Sequence, residues 1–206
     1  MPSAAFEKFR ESMHVTYEQW HDGLGYDLSA LANLSSDERR QAEDLVTSRS
    51  RLDWRDIEAL DSLGSQTALA CMHRALESMD LTTRAEAIER LTARGAIDSE
   101  HAATVILDAL DRMTLTNGMT RLLALARRFD SPVIREKLLS VALNGPRDVR
   151  AHAAATAHHL YGGTKESFDW NFRSLYLQFS ARWRPTRKRA LRQLCELIGI
   201  DPRRFY

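Results

Sequence analysis

The residues of this chain that could do chemistry are histidines, two cysteines, acids set beside aromatics, and one dense run of arginines. Seven histidines are scattered over 206 residues, with His152, His158 and His159 close together. A zinc site needs side chains converging on one point at about 2.0–2.1 Å. On a helix, His152 and His159 share a face but stand about 10.5 Å apart along the axis, and the adjacent His158 and His159 diverge by about 100°. A third ligand would have to come from elsewhere in the fold. Packing or surface histidines are therefore expected, and no metal. Cys195 and His159 would pair as nucleophile and base only by a tertiary accident. Cys195 follows Leu194 on an apolar helical stripe, where a buried, inert thiol is expected. The chain has no Gly-rich phosphate or dinucleotide loop, no H-E-x-x-H, no G-x-S-x-G and no EF-hand loop, so no catalytic residue is assigned and no cofactor is expected.

The run Arg182-Trp183-Arg184-Pro185-Thr186-Arg187-Lys188-Arg189-Ala190-Leu191-Arg192 holds six cations in eleven residues and no acid. Three readings stay open for it. It is the solvated face of a last helix, or a docking patch for an acidic protein, or an arm for nucleic acid with guanidinium forks and an aromatic to stack on. Pro185 places a turn over 182–184 and the helix start after it. Charge is lopsided along the chain. Residues 1–61 hold 7 basic and 13 acidic side chains, residues 182–206 hold 8 and 2, and the whole carries +1. Such a gradient steers partners.

The elements that must position these groups are helices. The sequence is 44% hydrophobic and 28% charged, with a mean hydropathy of −0.40, the composition of a folded, soluble chain. No apolar run is long enough to cross a membrane, the first fifteen residues lack a signal-peptide core, and two cysteines give no disulfide framework. A cytoplasmic protein is expected. Alternating β-branched runs are missing, while helix signals are everywhere. Ser35-x-x-Glu38 and Thr83-x-x-Glu86 read as capping boxes. Asp53, Asp98 and Ser131-Pro132 read as N-caps, and Gly64, Gly95, Gly145 and Gly162 as stops. Helices are predicted over 3–12 (weak), 16–23, 36–49, 53–63, 66–78, 83–94, 99–113, 117–129, 132–143, 147–161, 168–179 and 185–199.

Four of these helices end at Gly64, Gly95, Asp130 and Gly162, spaced by 31, 35 and 32 residues. Each is followed by a second amphipathic helix and a short polar link. Two helices per period of this length are the mark of an α-solenoid, in which one hairpin hides its apolar stripe only against the next. The segment Pro146-Arg147-Asp148-Val149-Arg150-Ala151-His152-Ala153, with Leu160, resembles the start of a HEAT repeat. Glu77 to Gly95, with Asp80, Arg84, Ala87 and Leu91, resembles the phycobilin-lyase-like variant of that repeat. The resemblance covers about residues 52–180, in four units. It implies an all-α, right-handed superhelix of antiparallel helix pairs, with ladder bonds between units from Asp148/Arg150 and Asp80/Arg84. The third unit, with Thr116-Asn117-Gly118, departs from the pattern.

Around these repeats, residues 1–51 read as an N-terminal helical cap closed by Tyr17, Trp20 and Tyr26, with residues before Met13 as an extension. Residues 181–206 read as a basic capping helix docked through Ala190, Leu191, Leu194, Leu197 and Ile198. The aromatic stretch 167–179 and the segments 17–23 and 53–60 resemble a group of uncharacterised bacterial HEAT-like proteins. By analogy, that implies an immunity-type or accessory role. The expected function is non-catalytic: a monomeric solenoid that occludes a partner protein, a toxin being one candidate. The contact set is Arg135, Asp169, Trp170, Arg173, Arg184, Arg187, Lys188, Arg189 and Arg192. The alternative is nucleic-acid binding or alkylpurine-type base excision, for which some HEAT-like proteins use an acid beside aromatics. Asp169-Trp170 and Asp53-Trp54-Arg55-Asp56 are the sequence candidates for that pair.

Overall fold

Side chains placed at helix starts decide where this chain turns. The computed structural model describes residues 1–205, and they form helices joined by short links. Among the described residues there is no β-strand; the 114–118 link makes only isolated bridges. The chain is all-α, and it divides into two compact units, residues 1–97 and 98–206. That boundary falls inside the stretch the sequence groups as repeats. Among the described residues no helix is long and apolar enough to cross a membrane.

The first unit contains α1 (Ala4–Ser12), α2 (Tyr17–His21), α3 (Leu28–Leu31), α4 (Ser36–Thr47), α5 (Trp54–Leu63), α6 (Gln66–Ala75) and α7 (Leu81–Ala93). Ser35 and Glu38 form the expected capping box of α4. Glu38 does more than the pattern requires. Its carboxylate also accepts the Ser3 amide at 2.7 Å, and these backbone N–H bonds hold its pKa down to about 2. Through that bond, and through buried Phe6 and Phe9, α1 docks on α3 and α4. The extension expected before Met13 is thus a packed helix: Phe6 and Phe9 at i, i+3 supply one apolar stripe, and Phe9 meets Tyr26 edge-on. Tyr26 is buried, but Tyr17 and Trp20 are not. They are 74% and 62% exposed and tilt against each other.

Asp53 caps α5 and Gly64 ends it in the left-handed conformation, at φ 69°. The start of α7 is misread by sequence, and the helices predicted from 147 and 168 begin at Arg150 and Arg173. Asp80, not Thr83, caps α7: Asp80 accepts the Thr82 amide, and Thr83 lies buried in the helix with its hydroxyl donating to Asp80. An Asp two to three residues before the first free amides outcompetes a Thr at the later position. The short α3 falls between the helices predicted over 16–23 and 36–49, because one helical turn has no period to detect.

The second unit contains α8 (Ser99–Leu110), α9 (Met119–Arg128), α10 (Pro132–Asn144), α11 (Arg150–Leu160), a 3-10 turn (Trp170–Phe172), α12 (Arg173–Phe179), α13 (Arg184–Ile198) and a last 3-10 turn (Pro202–Phe205). Its centre is α11, which packs on α9, α10 and α12. Five alanines between Ala151 and Ala157 are buried. A helix apolar on most sides belongs inside a fold, and small side chains let its neighbours come close. Ala190, Leu191, Leu194 and Cys195 dock α13, whereas Leu197 is left exposed.

Both units repeat one relation. In the first, α5 contacts α6 and also α7; in the second, α8 contacts α9 and also α10, and α9 contacts α11. Polar bonds follow the same offset. Arg90 reaches Glu58 at 3.0 Å, 32 residues back, and Arg94 reaches Asp61, 33 back. The Leu115 amide donates to Asp148 at 2.7 Å, 33 residues on. Arg147 donates to the Ser180 carbonyl at 2.9 Å, and Arg150 to that of Ala181 at 3.4 Å, 33 and 31 residues on. Asp148 and Arg150 thus each reach one period away, but to backbone groups. Asp80 instead caps its own helix, and Arg90 and Arg94 carry that link in the first unit.

Candidate binding surface

The link between α12 and α13 gathers more guanidinium groups than the sequence run suggests. Arg187, expected on the outer face, is 8% exposed. Its Nε donates to the Leu143 carbonyl at 2.9 Å, and its Nη1 to the carbonyls of Ala181 and Arg182 at 2.9 and 2.7 Å. Arg150 donates to the Gly145 carbonyl at 2.6 Å, besides Ala181. Arg147 takes Ser180. Three arginines from two distant segments therefore satisfy the C-terminal carbonyls of α10 and α12, where cations also complement the helix dipole. Arg187 leaves the contact set as a correction: at helix spacing it falls on the docked side, between Leu191 and Leu194, and its fork fits carbonyls that would otherwise be buried unpaired.

That clamp leaves surplus positive charge. Burial, then the nearby guanidiniums of Arg187 and Arg147, push the Arg150 pKa down. None of Arg147, Arg150, Arg182, Arg184, Arg187, Arg189 and Arg192 pairs with a carboxylate among the described residues. Arg182, Arg184, Arg189 and Arg192 are exposed, and Lys188 is half-buried. Arg184, Lys188 and Arg192 sit four apart on α13 and form one row. Trp183 stands at the helix start, 74% exposed. Arg147 and Arg150 are the members that sequence reading missed. Their signal was the repeat period, which places residues 147–150 beside 180–181.

The other expected contact residues occupy the opposite end of α12, about 10 Å away along its seven residues. Asp169 caps the 3-10 turn, accepting the Asn171 amide at 2.9 Å. Trp170 is exposed, with the Arg173 guanidinium 5.6 Å above its ring and Phe168 edge-on at 5.7 Å. Arg135 is not with them. It is engaged by Asp130 through two bonds, at 2.7 and 2.5 Å, and lies over the Tyr161 ring. A bidentate carboxylate holds its fork, and the pair is part-exposed.

His158, His159, Cys195 and Asp56 are held by their neighbours in the fold. His158 is buried, bonded through Nδ1 to the Tyr176 hydroxyl at 2.9 Å and edge-on to Phe172. A Cβ on Gly163 would lie 2.1 Å from its ring, which is why no side chain stands there. Burial lowers the His158 pKa, and the Asp169 charge opposes this only in part. The imidazole is thus neutral in the fold. Its contribution to stability is present above the ordinary histidine value of about 6.5 and is lost as the pH falls through the lower folded value. The urea midpoint should drop between pH 7.5 and pH 5, and His158→Gln should flatten that slope; an unchanged slope would remove His158 as its source. His159 is bonded to the Thr164 carbonyl. Cys195 is fully buried, its thiol pushed up to about 11 chiefly by burial. Asp56 has no exposed surface and three donors on it, so this acid is not available to a substrate, whereas Asp53, directly before Trp54, is half-buried and caps α5. Among the described residues no three His, Cys, Asp or Glu side chains come together as metal ligands.

These features define an all-helical protein with a basic, tryptophan-bearing surface. Comparison with protein-family models, curated proteins and solved structures returned no match.

Proposed function

We propose that this chain is a non-catalytic, HEAT-like helical-repeat protein that grips an acidic partner protein, in an immunity-type or accessory role in the bacterial cytoplasm. One observation carries the reading: exposed Trp183 stands between exposed Arg182 and Arg184 at the start of α13, Arg189 and Arg192 are exposed further along the helix, and none of the four arginines has a carboxylate partner among the described residues. Arginine and tryptophan are the residues that anchor protein interfaces, and unpaired cations steer an acidic surface into register. The mechanism is occlusion. Bonds from Arg147, Arg150 and Arg187 hold the 180–182 turn, so binding costs little ordering entropy. The helix contacts and polar bonds that recur about 31–33 residues apart support the repeat reading.

The test compares proteins retained by the immobilised chain with those retained by an Arg184→Glu/Arg189→Glu/Arg192→Glu variant. Acidic proteins should be retained by the first and lost from the second, with circular dichroism unchanged. Retention of the same proteins by both would end the proposal. Trp183 between Arg182 and Arg184 also suits base stacking, which keeps a nucleic-acid reading in view. Titration with single-stranded and duplex oligonucleotides separates the two. Micromolar binding that weakens steeply with salt would favour nucleic acid.

A further inference from the structure

A second basic site lies in the first unit, in residues that the proposed partner surface does not use. The link after α4, the last turn of α6 and the first turn of α7 enclose a cleft of about 340 Å³, lined among others by Arg49, Ser50, Arg51, Arg74, Ser78 and Cys71. That is the lower end of the range for small-ligand pockets. We propose that this cleft binds a small phosphate-bearing ligand.

Three observations carry the proposal. First, the cleft is lined by three guanidiniums and no carboxylate. Arg49 is held from behind, by Asp56 at 2.8 Å and by the Tyr26 hydroxyl, so its fork is fixed before any ligand arrives. Arg51 and Arg74 pair with no carboxylate among the described residues. Asp56, and in part Asp53, offset the Arg49 charge, so Arg51 and Arg74 are the cations left for a phosphate monoester, which carries about −1.5 to −2.

Second, these arginines do not serve helix ends. Arg147, Arg150 and Arg187 direct their donors to backbone carbonyls. Arg74 instead places Nη2 3.4 Å from the Cys71 sulfur, a weak acceptor, and Arg51 bonds to no described residue. Exposed arginines that line one cavity and keep open donors suit the bidentate geometry of phosphate oxygens.

Third, hydroxyls complete the lining. Ser78 Oγ accepts the Asp80 amide at 3.2 Å, so its own proton remains to be donated. Ser50 bonds to no described residue. The nearby Asp80 carboxylate is turned to α7, on the Thr82 amide and the Thr83 hydroxyl. Leu52, Ala75 and buried Cys71 give the cleft an apolar side, which would hold the carbon portion of an ester.

Isothermal titration of the full chain with inorganic phosphate, and separately with phenyl phosphate, tests this. Saturable one-to-one binding is expected, tighter for phenyl phosphate. Arg51→Gln and Arg74→Gln should each weaken it about tenfold. Arg40→Gln, which alters an exposed arginine paired with Asp37 elsewhere in the same unit, should leave it unchanged. Absence of saturation would overturn the proposal. So would equal weakening by Arg40→Gln, or indifference to both cleft variants in proteins whose circular dichroism is native.

Discussion

Replacing Arg187 with alanine should destabilise the protein by about 3–5 kcal/mol, the sum over several carbonyls that lose bonds from a charged donor. The side chain is almost wholly enclosed, and three carbonyls, of Leu143, Ala181 and Arg182, take its donors. Without it the Leu143 and Arg182 carbonyls lose this donor and Ala181 keeps only the longer bond from Arg150, at about 1–3 kcal/mol for each carbonyl left unpaired where water cannot reach. The turn between α12 and α13 loses its tie to α10 as well. Arg187→Lys should recover only part of the loss, since an ammonium lacks the planar fork. At about 2–4 °C per kcal/mol for a chain of this length, thermal unfolding should begin roughly 6–20 °C earlier. The binding proposal gains a control here: if Arg187 were a contact residue on the surface, Arg187→Ala would leave the melting temperature within about a degree.

Asp56→Ala should be comparably severe in the first unit, again about 3–5 kcal/mol. Asp56 accepts the Tyr26 hydroxyl at 2.9 Å, Arg49 Nη1 at 2.8 Å and the Asp53 amide at 2.8 Å. Its removal strands a buried phenol, a capping amide and a guanidinium at once. The Tyr26 hydroxyl depends on this arrangement too, since burial and the Asp56 charge push its pKa well above the ordinary tyrosine value. Asp56→Asn keeps the shape and an acceptor for Tyr26 but gives up the charge, and about 1–3 kcal/mol is expected. Urea unfolding by circular dichroism measures both. A loss below about 1 kcal/mol for Asp56→Ala would mean that water reaches Tyr26 and Arg49 freely. In Asp56→Asn the phosphate affinity of the adjacent cleft should not fall, because the amide oxygen can still accept from Arg49 and a competing negative charge is gone.

Much of the helical layout was legible in the residues themselves. Ser35, Asp53, Asp98 and Ser131 cap helices where local rules put them, because a cap bond spans only two or three residues. Thr83 was misplaced for the same local reason: Asp80 competes for the same amides and wins. The site was less legible. The run 182–192 announced its charge but not its division into inner and outer members. Arg187 is identical in type to Arg184 and Arg189, and only the position of Leu143 and the 180–182 carbonyls decides that it turns inward. Asp56 looked like an acid beside a tryptophan; Tyr26 and Arg49, 30 and 7 residues away, make it a buried acceptor.

By itself, the order of residues determined that the chain is helical, where most of its helices begin and end, and that they recur at about 31–35 residues. Those features depend on short-range bonds and on apolar spacing, both of which are written along the chain. Tertiary structure alone decided which charges are neutralised, which arginines cap distant carbonyls, and which guanidiniums share a cleft. The physical reason is that desolvation and pairing depend on what arrives from thirty residues away, and a side chain's type does not say which neighbour will reach it.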